Sequence, residues 1–276
     1  MSVINTNVKS IVAQNALAVN NRSLSKAMEQ LSTGKRINTA ADDAAGLAIT
    51  DRMTAQIRAL NQSIRNANDA VSMMQTAEGA TNEISNMLQR MRELAVQSAN
   101  DSYGTNDRSA LQTENDQLKE EITRIANNTQ WNGMSVLNGN IGSAGVVTFQ
   151  VGTQGDATSS ITVEFKALDA TTLTVDSLQL DSNANAQAAI GKLDTAIQTV
   201  DTFRATLGAK INRLTYAADN LTNVSTNTAA SRSRIMDTDY AKTTTDLARS
   251  QIIQQAATAM LAQANQQPQA VLSLLK

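Results

Sequence analysis

A heptad seam does most to limit what this chain can fold into. Met53, Ile57, Leu60, Ile64, Ala67, Val71 and Met74 recur at alternating steps of four and three, and after a slip the pattern resumes at Ile84, Leu88, Met91 and Ala95. That spacing belongs to a helix whose apolar stripe is covered by other helices. It predicts one helix from about residue 43 to about residue 99, roughly 85 Å long at its known rise per residue, and so an elongated molecule. A second seam follows at Ile190, Leu193, Ile197, Val200, Leu207, Ile211, Leu214, Ala218 and Leu221, with Arg204 at one place where an apolar residue is expected. A shorter helix carrying Leu111, Leu118, Ile122 and Ile125 should start after the breakers Asn100-Asp101-Ser102-Tyr103-Gly104. Three helices then share one seam, which makes the expected fold class mainly α, a long antiparallel coiled-coil helical bundle.

Between Trp131 and Asp181 the period becomes alternating, with Val147, Phe149 and Val151 before a Gly-Thr-Gln-Gly-Asp turn region and Ile161, Val163 and Phe165 after it. This predicts a small β-hairpin region in the middle of the chain. Asp181-Ser182-Asn183 offers N-cap chemistry where the second long helix should begin.

The two ends read as amphipathic helices. One carries Val8, Ile11, Val12, Leu17, Leu24, Met28 and Leu31; the other carries Leu247, Ile252, Ile253, Ala256, Ala257, Met260 and Leu261. Beyond a helical run from Met260 to Asn265 come the only proline, Pro268, and an apolar tail from Val271 to Leu275. Uncharged apolar ends of this kind are a liability in a monomer and usable when other subunits cover them. Val8, Ile11, Leu17, Leu24, Leu31, Ile253, Met260, Leu261, Val271, Leu272 and Leu275 are therefore expected to be assembly residues.

Composition removes most chemistry. The chain has no histidine and no cysteine, so imidazole bases, thiolate nucleophiles, disulfides and nearly all zinc sites are excluded. A net charge of -2 gives no bias toward nucleic acid, and no apolar run approaches a membrane span. The start of the chain lacks the layout of a cleavable signal. Asp42-Asp43 and Glu120-Glu121 are adjacent on helices, do not face each other, and read as helix-start charge and solvated surface rather than as metal or acid-base pairs. GTQGDATSS and GNIGSAG lack the lysine and the helix of a phosphate loop and read as turns. Met73, Met74, Met87 and Met91 lie at helical spacing and read as packing. No cofactor and no catalytic activity are expected.

Four stretches carry a family resemblance: LSTGKRINTAADDAAGLAI (Leu31 to Ile49), LQRMRELAVQSAN (Leu88 to Asn100), TQWNGMSVLNG (Thr129 to Gly139) and AMLAQANQQPQAVLSLLK (Ala259 to Lys276). Together they resemble bacterial flagellin over roughly residues 1–140 and 185–276. The resemblance implies a minimal flagellin without large outer domains. Residues 1–40 and 236–276 would be inner-tube helices, 41–140 outer-tube helices, 141–183 the hairpin region and 184–235 the returning outer-tube helix. It also implies a homopolymeric helical filament outside the cell, for motility, and export of the unfolded chain by the flagellar type III apparatus. The implied partners are an export chaperone at the C-terminal helix, hook-junction and cap proteins, and Toll-like receptor 5. For that receptor, Gln89, Arg90, Leu94 and Glu114 match the family's contact positions, with Arg90 as an exposed donor flanked by an apolar Leu94. A hook-junction protein on similar terminal helices is the competing class, and the unbroken LAQANQQPQAVLSLLK end favours the filament subunit.

Overall fold

The computed structural model describes residues 6–273, with side chains through residue 266. Among the described residues are five α-helices, α1 (Val8–Thr33), α2 (Ala44–Ser98), α3 (Thr105–Asn128), α4 (Asn183–Met236) and α5 (Tyr240–Ser273). Four short strands lie between α3 and α4: β1 (Gln130–Trp131), β2 (Met134–Ser135), β3 (Val146–Gln150) and β4 (Ser160–Glu164). The chain forms two compact units, one from Arg58 to Ser225 and one from the two ends, up to Ile57 and from Thr226 onward. The expected helical bundle with a small hairpin region is what the chain forms.

In the Arg58–Ser225 unit, the buried face of α2 runs through Leu60, Ser63, Ala67, Ala70, Met74, Ala77, Thr81, Ile84, Leu88, Met91, Ala95 and Ser98. These alternate by three and four without interruption, so the expected slip between Met74 and Ile84 does not exist. Ala77 and Thr81 carry the seam there. Thr81 is tolerated because its hydroxyl donates to the Glu78 carbonyl at 2.8 Å, which satisfies its polarity inside the helix. Ser63 and Ala70 take places that the heptad spacing assigns to Ile64 and Val71, which are half-buried. On α4 the interruption at Arg204 is likewise filled by a neighbour, because Phe203 is the buried residue between Val200 and Leu207.

The segment after β4, which has neither helical nor alternating periodicity, proves to be a buried strap. Phe165, Leu168, Ala170, Leu173, Val175, Leu178 and Leu180 all join the core without forming a strand. Its backbone groups must then find partners elsewhere. The Leu178 carbonyl accepts from Lys119 Nζ at 2.6 Å, the Leu180 carbonyl from Ser98 Oγ at 2.5 Å, and the Leu180 N–H donates to Gln112 Oε1 at 2.6 Å. This explains why α3 buries Lys119, a residue type rarely found inside unless paired.

The β3–β4 hairpin has the expected faces, with Val147 opposite Val163 and Phe149 opposite Ile161. A smaller hairpin, β1–β2, which the sequence pattern does not single out, precedes the hairpin expected at residues 141–183. It turns at Asn132-Gly133, both with positive φ (49° and 77°), the geometry that two-residue hairpin turns with right-handed strand twist require.

In the unit built from the chain ends, α1 and α5 pack antiparallel as a second coiled coil. The facing positions are Ser10, Ala13, Leu17, Asn20, Leu24, Ala27 and Leu31 on α1, and Thr243, Leu247, Ser250, Gln254, Ala257, Leu261 and Ala264 on α5, every one buried or half-buried. α1 ends at Gly34, whose φ of 69° is the left-handed cap that glycine adopts freely. The chain then crosses to α2 beside the stretch that leads into α5: Arg36 N–H donates to the Met236 carbonyl at 2.7 Å and Thr238 N–H to the Gly34 carbonyl at 3.0 Å.

Asp42 fastens this crossing. Its carboxylate accepts from Lys26 Nζ at 2.8 Å and from the backbone N–H groups of Thr39 and Asn38 at 3.0 and 3.2 Å. The Lys26 bond, then the two backbone donors, hold its acidity well below the usual carboxylate range. A depressed folded value contributes stability above the unfolded value of about 3.9 and loses it as pH falls through the folded value. Protection of amides 38–42 against hydrogen exchange should therefore stay flat between about pH 7 and about pH 5 and fall only in stronger acid. Asp42→Asn should lower it already at neutral pH; protection in the variant equal to that of the parent would refute the latch.

Candidate assembly and recognition surfaces

The expected assembly residues divide into two sets. Leu17, Leu24, Leu31 and Leu261 lie in the α1–α5 seam within one chain. Val8, Ile11, Ile253 and Met260 lie outside it and are exposed, Val8 at 56% and Met260 at 65%. Val12, Val19, Met28 and Ile252, apolar residues missing from the expected set, are exposed with them. The terminal helices carry more apolar residues than one heptad stripe can hold, which signals that some must lie outside the seam but not which ones. Val271 and Leu272 fall within the backbone of α5, but their side chains, and all of Leu275, lie outside the described residues.

The seam itself is unusually polar. Asn20, a buried seam residue, donates from Nδ2 to the Ser250 carbonyl at 2.8 Å, and Gln254 Nε2 donates to Asn21 Oδ1 at 3.2 Å. A buried amide such as Asn20 fixes register in a coiled coil at some expense of stability, since a slip leaves it unpaired. Beside the seam, Val8, Val12, Ala13, Met260 and Ala264 line a shallow, mostly apolar groove of about 350 Å³. A helix pair with a satisfied polar seam and an apolar outer face suits contact with further apolar surface.

The second set of expected site residues lies on α2 and α3. Gln89, Arg90 and Glu114 are exposed. Arg90 Nε contacts Glu114 Oε1 at 2.8 Å and its NH1 contacts Glu93 Oε2 at 2.9 Å. Those bonds, Glu114 first and then Glu93, strengthen the hold on the guanidinium proton. Leu94 departs from the expectation. It is fully buried in the core and cannot be an apolar surface anchor beside Arg90. It falls on the inward seam because Met91, Leu94 and Ala95 face the bundle together, and the exposed apolar residue of this stretch is Val96.

Among the described residues, no group of three or more Asp or Glu could hold a metal ion, and no helix is long and apolar enough to cross a membrane. Asp43 accepts from Gly46 N–H at 2.8 Å at the start of α2, the helix-start role expected of it.

Comparison with known proteins agrees with this architecture. Residues 4–141 match the family described as the bacterial flagellin N-terminal helical region, and residues 190–275 match the bacterial flagellin C-terminal helical region. The flagellin of Halalkalibacterium halodurans is 44% identical over 274 residues, covering 99% of this chain and 100% of that protein. The flagellar filament 33 kDa core protein of Treponema phagedenis is 43% identical over 285 residues, covering 99% of this chain and 100% of that one. The crystal structure of Bacillus cereus flagellin, 39% identical, superposes with a TM-score of 0.51 over 61% of this chain and 94% of its own. With both terminal helical regions matched and full-length relatives at this identity, the chain belongs to the bacterial flagellin family, and is a structural, non-enzymatic subunit of the extracellular flagellar filament.

Proposed function

We propose that the α1–α5 coiled coil is the polymerisation element, with residues 1–40 and 236–276 forming an inner tube and residues 41–140, 141–183 and 184–235 an outer one. The observation that carries this is the division of apolar residues on the terminal helices: one set satisfied within the chain, the other exposed at Val8, Ile11, Val12, Ile253 and Met260. A head-to-tail contact whose rotation does not close builds an open helix of copies. The test is hydrogen exchange on monomer and polymer. Amides of α1 and α5 should gain protection on polymerisation, and equal protection in the two forms would contradict the proposal.

Export fits the same chain. A chain without cysteine and with a single proline meets few folding steps slower than seconds once threaded through a channel by the flagellar type III apparatus. Before export, a chaperone would cover the apolar face of α5, and hook-junction and cap proteins would meet the same face at the filament ends.

For Toll-like receptor 5, recognition of the monomer would rest on Gln89, Arg90 and Glu114, supported by their exposure on adjoining helices. Leu94 would contribute by fixing the α2 face from beneath. Arg90 presents several donors in a planar fork, the kind of side chain that dominates interfaces. Arg90→Ala should weaken receptor binding by soluble monomer about tenfold or more while leaving the fold unchanged. Undiminished binding in a titration would remove Arg90 from the site.

A further inference from the structure

Pro268 lies within α5, which continues as helix to Ser273. A proline has no backbone N–H, so the carbonyl one turn earlier, that of Ala264, loses the partner it would have in an uninterrupted helix. In this chain Asn7 Nδ2 donates to that carbonyl at 2.8 Å. The same Asn7 side chain caps the start of α1, its Oδ1 accepting from Ser10 N–H at 3.2 Å, and Ser10 Oγ donates to Asn265 Oδ1 at 3.0 Å. One amide therefore closes two open positions, the first turn of α1 and the gap left in α5.

We infer that Asn7 and Pro268 are a matched pair: the proline opens a carbonyl on α5 that the N-terminal amide closes, so the last turns of α5 are secured only when α1 is docked in register. The Ala264 carbonyl marks one place along α5, and a shift of α1 by one turn would carry Asn7 to carbonyls already bonded within the helix. The proline thus converts a uniform helix end into a register mark. Asn7 is a positioning residue, and its effect depends on what stands at residue 268. This inference uses the α1–α5 pairing within one chain and goes beyond its role in polymerisation.

A double-mutant cycle on the full chain tests it. Asn7→Asp keeps the acceptor that caps α1 but removes the donor, and Pro268→Ala restores the missing N–H. Millisecond-pulse hydrogen exchange of residues 255–266 is read in the soluble chain and in seeded filaments. Asn7→Asp should lower protection about tenfold where Pro268 is kept, as loss of one hydrogen bond does, and less than about twofold where Pro268→Ala has also been made. Equal losses in both backgrounds overturn the pairing, as does an absence of protection in the soluble chain and the filaments alike. Failure of the unaltered chain to grow on seeds would count against the polymerisation reading instead, and the cycle would still be read in the soluble chain.

Discussion

Changing Ile11 and Met260 together to aspartate should stop growth from filament seeds while leaving the Arg58–Ser225 unit as stable as before. Both side chains lie outside the intrachain seam, 47% and 65% exposed, so the isolated subunit loses little when they become polar. In a polymer that covers them, each position forfeits about 1.5–3 kcal/mol of apolar burial, and an uncompensated carboxylate adds a further penalty. At about 1.4 kcal/mol for each factor of ten, the two changes together should slow growth at least about a hundredfold, followed by light scattering. Leu24→Asp should act differently. Leu24 is within the seam, so its loss should unpair α1 from α5 in the monomer and reduce helical circular dichroism before any seed is added. Growth of the double variant at the parent's rate would mean that the exposed stripe is not the contact.

Phe165→Ala is expected to destabilise the Arg58–Ser225 unit by about 3–5 kcal/mol, the range for deleting a large buried aromatic side chain. Phe165 is 1% exposed and stands where β4 gives way to the buried strap. Its N–H donates to the Gly145 carbonyl at 2.8 Å, so the cavity would open at a junction held by backbone bonds and would collapse only partly. For a unit of this size each kcal/mol lowers the melting temperature by about 2–4 °C, and a fall of roughly 10 °C in calorimetry is expected. Tyr216→Ala, at a side chain 75% exposed, should change it by no more than about 1 °C. A Phe165 variant that melts with the parent would show that the strap is not part of the cooperative core.

Where side chains announce their burial by being apolar, the sequence is a good guide. The three helices of the bundle, the faces of β3 and β4 and the terminal helices follow from heptads and alternation. It is a poor guide where burial falls on small or polar residues. Ala77 and Thr81 look like a slip because neither is strongly apolar, yet the helix is continuous through them. Lys119 and Gln112 are of residue types rarely buried, yet they bond the strap that runs past α3. Asn132-Gly133 is itself a hairpin signal, but the strands on either side are only two residues long, too short to show alternation. For the candidate surfaces, the apolar content of the termini is legible but its division is not, because Leu17 and Ile11 differ only in which side of α1 they occupy. Leu94 shows the same limit, since its burial follows from a seam whose phase only the folded helix reveals.

Cryo-electron microscopy of filaments grown from the full chain tests the central claim most directly. Val8, Ile11, Ile253 and Met260 should lose their exposure against neighbouring copies, while Leu17, Leu24, Leu31 and Leu261 remain in the seam of a single subunit. A filament in which those four exposed residues face solvent, with subunits held together by other surfaces, would contradict the account.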